Sequence, residues 1–428
     1  MTSAAQILSQ YERFGVHLGL ERIQALLARL GNPQQRVPVL HVAGTNGKGS
    51  VCAYLSSVLR AAGYRVGRYT SPHLVNWRER ICLNDTWIAE ADLVAALTAV
   101  QQAIDPNPED SATQFEVITA AAWWYFAQQQ VDVAVIEVGL GGRLDATNVN
   151  EQPLVSVITS LSREHWQRLG PTLADIAYEK AGILKPQRPA VIGPLPAEAD
   201  AVVTERLKVL DCPTVRVEPA QDLGNGRATW QGIEYPLALF GAMQLTNSAI
   251  ALAVLQCLRQ QGWQISDAAL EAGFAQTRWP GRLQWVTWTD AAGQPHKLLI
   301  DGAHNVAAAE YLRQFVDAWL SPTNSPTTDP TTWVMGMLST KDHVGILKTL
   351  LRPQDRLFAL PVPDHSTLQP ESLVQLARAL EPKLSQTEAH QEFTSALSAA
   401  FAQDYPVVLC GSLYLVGQFL ALYPADPQ

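Results

Sequence analysis

Short runs that are apolar at every position alternate along the chain with longer segments in which apolar residues recur every three or four positions. "VPVLHVAG" is followed by "SVCAYLSSVLRAAG" and then "YRVGRYTS"; further on, "VITAAAWWYFAQQQ" precedes "VDVAVIEVG" and "LVSVITS". A strand apolar on both faces must be covered twice, as in a parallel sheet flanked by helices. The pattern predicts one large α/β domain over residues 1–277 with a mostly parallel sheet. Inside it, residues 215–240 read as a short antiparallel excursion turning at Gly224 to Gly226, and "MQLTNSAIALAVLQCLRQQG" reads as a helix stopped by Gly262. Pro280 and Gly281 then break the pattern, so residues 278–284 are expected to be a linker. A second alternation follows: "KLLIDGAHN", a helix from about Val306 to Leu320, "TWVMGML", a helix near 342–351, "DRLFALPV", a helix at 370–380, and "YPVVLCGSLYLVG". It predicts a smaller α/β domain over residues 285–428, with the polar stretch 321–332 as a connector. Two such domains in series imply a ligand cleft between them.

Composition narrows the class. The chain has 428 residues, 47% of them hydrophobic and 17% charged, which suits two or three globular cores. No run approaches the ~20 apolar residues of a membrane span, and the first residues lack the basic start and apolar stretch of a signal peptide. A cytoplasmic protein without a membrane partner is expected. Cys52, Cys82, Cys212, Cys257 and Cys410 are scattered and never in C-x-x-C spacing, which suggests neither a disulfide framework nor a zinc site. A formal charge of −9 argues against nonspecific nucleic-acid binding, so any anion site must be built locally.

One is visible in "HVAGTNGKGSVCAYL" (41–55), an apolar strand, a glycine-rich turn and a helix that starts at or just before Ser50. Backbone N–H groups at a helix start, with Lys48 as a point charge, hold phosphates. Gly44, Thr45, Asn46, Gly47, Lys48, Gly49 and Ser50 are therefore candidate nucleoside-triphosphate contacts. The usual loop of this kind has a metal-binding hydroxyl directly after the lysine; here Gly49 stands there. Ser50 is one substitute, and Ser71, where "RYTSPHL" leaves a strand, is another, unless it is only a turn residue. Glu137 ends the apolar run "VDVAVIE", where a carboxylate is costly unless paired or metal-bound. It reads as an Mg²⁺ ligand, or as the partner of Arg143 in a buried ion pair. His165 follows the strand "VSVITS" and is a metal ligand or a structural histidine. Lys180, next to Glu179 on a helix, reads locally as half of a surface ion pair. In "LLIDGAHN", Asp301 suits ribose hydroxyls and His304 suits phosphate or substrate, with helix capping by Asp301 or Asn305 as the alternative.

Taken in order, "HVAGTNGKGS", "YTSPHL", "TQFEVIT", "EVGLGGRLDATN", "ITS" with a following His, "EKAGILK", "PGR", "DGAHN" and "GSLYLVG" resemble the folylpolyglutamate synthase/dihydrofolate synthase family of the Mur ligase superfamily, from about residue 11 to 420. The resemblance implies a P-loop-type N-terminal domain, a smaller α/β C-terminal domain and an ATP site in the interdomain cleft. It also implies an ATP-dependent ligase that joins L-glutamate to dihydropteroate and to reduced folates through an acyl phosphate. By the same resemblance, Ser71, Glu137 and His165 hold Mg²⁺, Lys180 is carried as a carbamate, and Asn247, Arg282, Asp301 and His304 contact ATP, with a catalytic part for Lys48, Lys180 and His304. "LGLERI" (18–23) falls at the pterin site, and a monomer is expected. The family has Asp-His where this chain has Glu164-His165. The alternatives are one of the two activities alone, another ligase of the superfamily such as a murein peptide or cyanophycin-type enzyme, or an ATP-binding regulatory protein without turnover.

Overall fold

The computed structural model describes residues 3–11, 18–105, 112–320, 330–363 and 366–424. Most of the polar connector expected at 321–332 lies outside them. The chain divides into one unit of residues 1–238 and 243–278, and a second of residues 239–242 and 279–428.

The first unit carries β1 (Val39–Ala43), β2 (Val66–Tyr69), β3 (Ile81–Leu83), β4 (Thr86–Trp87), β5 (Val133–Glu137), β6 (Val155–Ile158), β7 (Ala190–Ile192) and β8 (Thr214–Arg216) in one sheet ordered β4-β3-β2-β5-β1-β6-β7-β8. All neighbours from β2 to β8 run parallel. Every residue of β1, β2, β5 and β6 is buried, which is why these runs show no polar alternation. At the edge, β3 runs antiparallel to both β2 and β4. Asn84 and Asp85 both have positive φ between β3 and β4, the backbone a two-residue hairpin requires. The Asp85 carboxylate accepts from Ser56, Arg60 and Arg68 and ties the turn back to the unit. β9 (Gln221–Gly224), β10 (Arg227–Trp230) and β11 (Ile233–Pro236) form the expected small antiparallel sheet.

The second unit holds β12 (Gln284–Thr289), β13 (Pro295–Ile300), β14 (Thr332–Met335), β15 (Arg356–Ala359), β16 (Gln386–Ala389) and β17 (Val407–Cys410), ordered β12-β13-β17-β14-β15-β16. The sheet is parallel apart from β12, which pairs antiparallel with β13. The sequence reading begins this unit with the strand over "KLLI" and passes over β12. "QWVTWT" alternates buried and exposed positions as a half-covered edge strand does. Among the described residues, no helix is long and apolar enough to cross a membrane.

The helix Lys48–Ala61 positions the site, and it is buried at every residue from Ser50 to Leu59. The helix Asp267–Gln276 packs against it so closely that a Cβ on Gly273 would stand 2.4 Å from the Cα of Val58. The Ser57 hydroxyl adds a hydrogen bond to the Gly273 carbonyl. Backbone cannot yield as a flexible side chain can, so Gly273→Ala should destabilise the unit by about 1–3 kcal/mol. Thermal or urea unfolding checks this; an unchanged midpoint would contradict the packing.

Candidate functional site

Three neighbouring strands end together: β1 pairs β5 with Val42 opposite Glu137, and pairs β6 with Ala43 opposite Ile158. The loop after β1 therefore faces the segments after β5 and β6. Gly44 has φ near 151°, and a Cβ there would lie 1.9 Å from Thr159 Oγ1, so only glycine fits. The segment after β6 grips the loop. Thr45 N donates to Ser160 O at 2.7 Å, and the hydroxyls of Thr159 and Ser160 donate to Asn46 O at 2.7 and 3.0 Å. Ser162 N donates to Thr45 Oγ1 at 3.0 Å.

Gly47 caps the following helix with φ near 86° and supplies no side-chain acceptor. A Cβ on it would lie 2.3 Å from Asn247 Oδ1, which puts Asn247 against the loop. Asn247 donates to Gln244, and Gln244 in turn reaches Ser50 Oγ at 3.4 Å. The helix has 14 residues and a partial positive charge at its uncapped N-terminus. Lys48 Nζ turns back to Thr45 O at 3.1 Å. The buried Ser162 Oγ beside the loop has no hydrogen-bond partner among the described residues. Uncapped N–H donors, a lysine and an orphaned hydroxyl together fit a bound polyphosphate.

Glu137 is buried at the end of β5, with Oε1 3.8 Å from Lys48 Nζ and Oε2 accepting from Ser71 N at 3.1 Å. The sequence alternative of a Glu137–Arg143 pair is corrected here. Arg143 Nε and Nη2 both donate to Glu179 Oε1, at 3.1 and 2.7 Å. His165 sits on the loop after β6 with φ near 52°; its side chain is 48% exposed and lies 3.9 Å from Glu164. Among the described residues, no group of three His, Cys, Asp or Glu side chains gathers at metal-binding spacing. A cation held through Glu137, with a serine and a histidine, would need phosphate oxygens and water for the rest of its ligands, as Mg²⁺ does.

Lys180 departs furthest from its local sequence reading. It is buried, not on the surface, and its Nζ donates to Gly44 O at 2.7 Å. Burial, and then the charge of Lys48, lower its pKa to about 7. The helix Leu173–Ala181 that carries it lies against the 139–143 loop: a Cβ on Gly142 would meet Glu179 O at 2.9 Å, and one on Gly182 would meet Arg143 Cβ at 2.3 Å.

Arg282, Asp301 and His304 belong to the second unit. Asp301 is buried at the end of β13; its Oδ2 accepts from Leu283 N and its Oδ1 from Ala303 N, each at 2.8 Å. Burial pushes its pKa up, and the neighbouring Arg282 opposes this. Asp301 thereby shapes the turn that presents Arg282. His304 Nδ1 lies 2.8 Å from Gly302 O, and because a carbonyl only accepts, Nδ1 carries a proton. Helix capping falls to Asn305, whose Oδ1 accepts from Ala308 N at 2.9 Å.

Sequence reasoning passed over Thr159, Ser160 and Ser162, whose bonds shape the phosphate loop. The signal was the hydroxyl-rich exit "ITSLS" from an apolar strand.

The family model for the Mur ligase middle domain matches residues 42–255, and that for the dihydrofolate synthetase C-terminal domain matches residues 284–422. The dihydrofolate synthase/folylpolyglutamate synthase of Escherichia coli is 34% identical over 419 residues, covering 96% of this chain and 92% of its own. A solved folylpolyglutamate synthase from Mycobacterium tuberculosis, complexed with ADP and AMPPCP, superposes with a TM-score of 0.85 at 32% identity over 99% of this chain and all of that one. A solved bifunctional folylpolyglutamate synthase/dihydrofolate synthase with Mn, AMPPNP and L-glutamate bound gives 0.83 at 30% identity, covering 99% and 98%. With both halves of the chain matched, and with full-length relatives above 30% identity, this protein belongs to the folylpolyglutamate synthase/dihydrofolate synthase family of ATP-dependent ligases.

Proposed function

We propose that this chain carries both activities of its family, acting as a cytoplasmic monomer that adds L-glutamate to dihydropteroate and to reduced folates. The observation that carries the reading is the arrangement of Lys48, Glu137 and Lys180 around one uncapped helix start. Joining an amine to a carboxylate requires a better leaving group than oxide, and phosphorylation of the acceptor carboxylate supplies one. Backbone N–H groups at the helix start, from Gly47 to Ser50, would hold the phosphates of ATP, and Lys48 would offset the charge that develops on the transferring group. Ser71, Glu137 and His165 would hold Mg²⁺, which when bound supplies further neutralisation of phosphate charge. Asn247, Arg282 and Asp301 would orient the nucleotide. His304, oriented by its Nδ1 bond to Gly302 O, would contact the phosphate or the substrate. "LGLERI" at 18–23 would bound the pterin.

Lys180 would act as a carbamate. Only an uncharged amine adds carbon dioxide, and burial beside Lys48 brings the amine to about 7. The product is an anion, which suits a position beside Lys48 better than an ammonium does.

The separating experiment follows ADP release with MgATP and glutamate and either dihydropteroate, tetrahydrofolate or no pterin. Release with both is expected; release with one reduces the reading to that activity, and release with neither refutes it. Lys48→Ala should lower turnover roughly a hundredfold or more, the scale on which removal of a preorganised charge acts; near-normal turnover would remove Lys48 from the chemistry. The Lys180 ammonium loses its proton as pH rises through about 7. Bicarbonate-dependent activation should therefore increase from pH 6 to pH 8, with a carbamate ¹³C signal that is lost in Lys180→Ala. A flat response with no such signal would leave Lys180 as an amine.

A further inference from the structure

Within the first unit, a buried chain of three side chains lies beneath the site. His41, in the middle of β1, reaches Thr147 Oγ1 through Nε2 at 2.9 Å, and Thr147 Oγ1 donates to Asp145 Oδ1 at 2.6 Å. His41 and Asp145 are each 3% exposed and Thr147 is 1%. Asp145 also accepts from Thr147 N at 3.0 Å and from Leu140 N at 2.7 Å, so it folds residues 140–147 into a closed loop.

These donors fix where the protons are. Backbone N–H groups can only donate, so both Asp145 oxygens accept, and these bonds with that from the Thr147 hydroxyl oppose the rise in pKa that burial causes. The Thr147 proton is committed to Asp145, so its oxygen must accept from His41. His41 therefore carries a proton on Nε2, and burial, then the charge of Lys185, keeps the ring neutral by lowering its pKa to about 3.

The chain also completes a circuit. From His41, β1 runs three residues to Gly44, whose carbonyl accepts from Lys180. One residue before Lys180, Glu179 holds Arg143 by side chain and by a 2.7 Å bond from Arg143 N to Glu179 O. Asn148 Nδ2 bonds both Arg143 O at 3.0 Å and Gly182 O at 3.1 Å, which doubles that link. Arg143 leads to Asp145, and Asp145 through Thr147 back to His41.

We infer that His41 is a positioning residue for the ligation: through Thr147 and Asp145 it fixes the 140–148 loop, and with it the Lys180 helix, against the phosphate loop. The inference rests on the proposed role of Lys180 at the reacting phosphates. His41 itself touches neither loop glycine nor Lys180 in the bonds above; it acts only through the circuit.

Three comparisons test this. Thr147→Val and His41→Leu should each lower kcat about tenfold or more, the cost of one buried hydrogen bond left unmade, with KM for MgATP and for the pterin within about threefold. Thr147→Ser, which keeps the hydroxyl, and His41→Gln, whose Nε2–H stands where the imidazole's does, should restore most of it. The pair His41→Leu with Thr147→Val should be no slower than the worse single variant, because one chain is broken only once. ¹⁵N NMR of the wild-type chain should show the His41 ring, assigned by its absence from His41→Leu, as a neutral Nε2–H tautomer in slow exchange, and that slow exchange should be lost in Thr147→Val. Losses that multiply in the pair, or variants that melt earlier yet keep wild-type kcat per titrated site, would overturn the inference. So would an Nδ1–H tautomer. If wild type turns over neither pterin, the ligase reading falls, while the NMR signature still decides the hydrogen-bond chain. Should Thr147→Val fail to fold, His41→Gln against His41→Leu carries the same contrast.

Discussion

Everything at the site depends on a lysine kept in an interior where a charge is expensive. Lys180 ends against the Gly44 carbonyl within the field of Lys48, and it has lost much of its hold on its proton. An arginine at this position would stay charged, because its guanidinium is not deprotonated in proteins. A lysine can release the proton, and so can be converted into something other than a cation. The fold supplies the confinement: β1, β5 and β6 are adjacent, and each ends in a segment that closes on the same loop.

Glycine makes that closure possible at a few positions. Gly44 leaves the space that Thr159 Oγ1 fills, Gly47 leaves that of Asn247, and Gly142 and Gly182 let the 139–143 loop and the Lys180 helix approach to backbone contact. Each lets a polar group reach a strand end or helix end without an intervening side chain. The groups held there come from short excursions beyond buried strands, which is how a precise arrangement is built on rigid elements.

The alternation of apolar runs and amphipathic segments made both parallel sheets legible, because a fully buried strand has no polar positions to obscure it. The two antiparallel edges were harder to see. β3 and β4 are only a few residues long and depend on positive φ at Asn84 and Asp85, and β12 lies directly after the glycine-proline break that reads as a linker. At the site, the glycine-lysine loop and Glu137 could be read from position alone, because both stand where an apolar strand stops. Lys180 could not. Its neighbour Glu179 offers an obvious partner in sequence, but on a helix adjacent residues point apart. Glu179 turns to Arg143 while Lys180 turns inward. Helical phase, which local sequence leaves undetermined until the packing face is known, separates a surface ion pair from a buried amine.

Gly49 stands where a hydroxyl is usual. Ser50 lies one residue further round the helix and is buried, with Gln244 within 3.4 Å of its oxygen. Ser71 instead lies at the end of β2, adjacent in the sheet to β5, and its backbone N–H already meets Glu137. In the proposed site the Ser71 hydroxyl would reach the cation from the strand beside Glu137 and not from the phosphate loop, which would leave the glycine turn free to follow the anion. On that proposal the loop and the cation ligands would be set by different strands, with the sheet fixing the spacing between them.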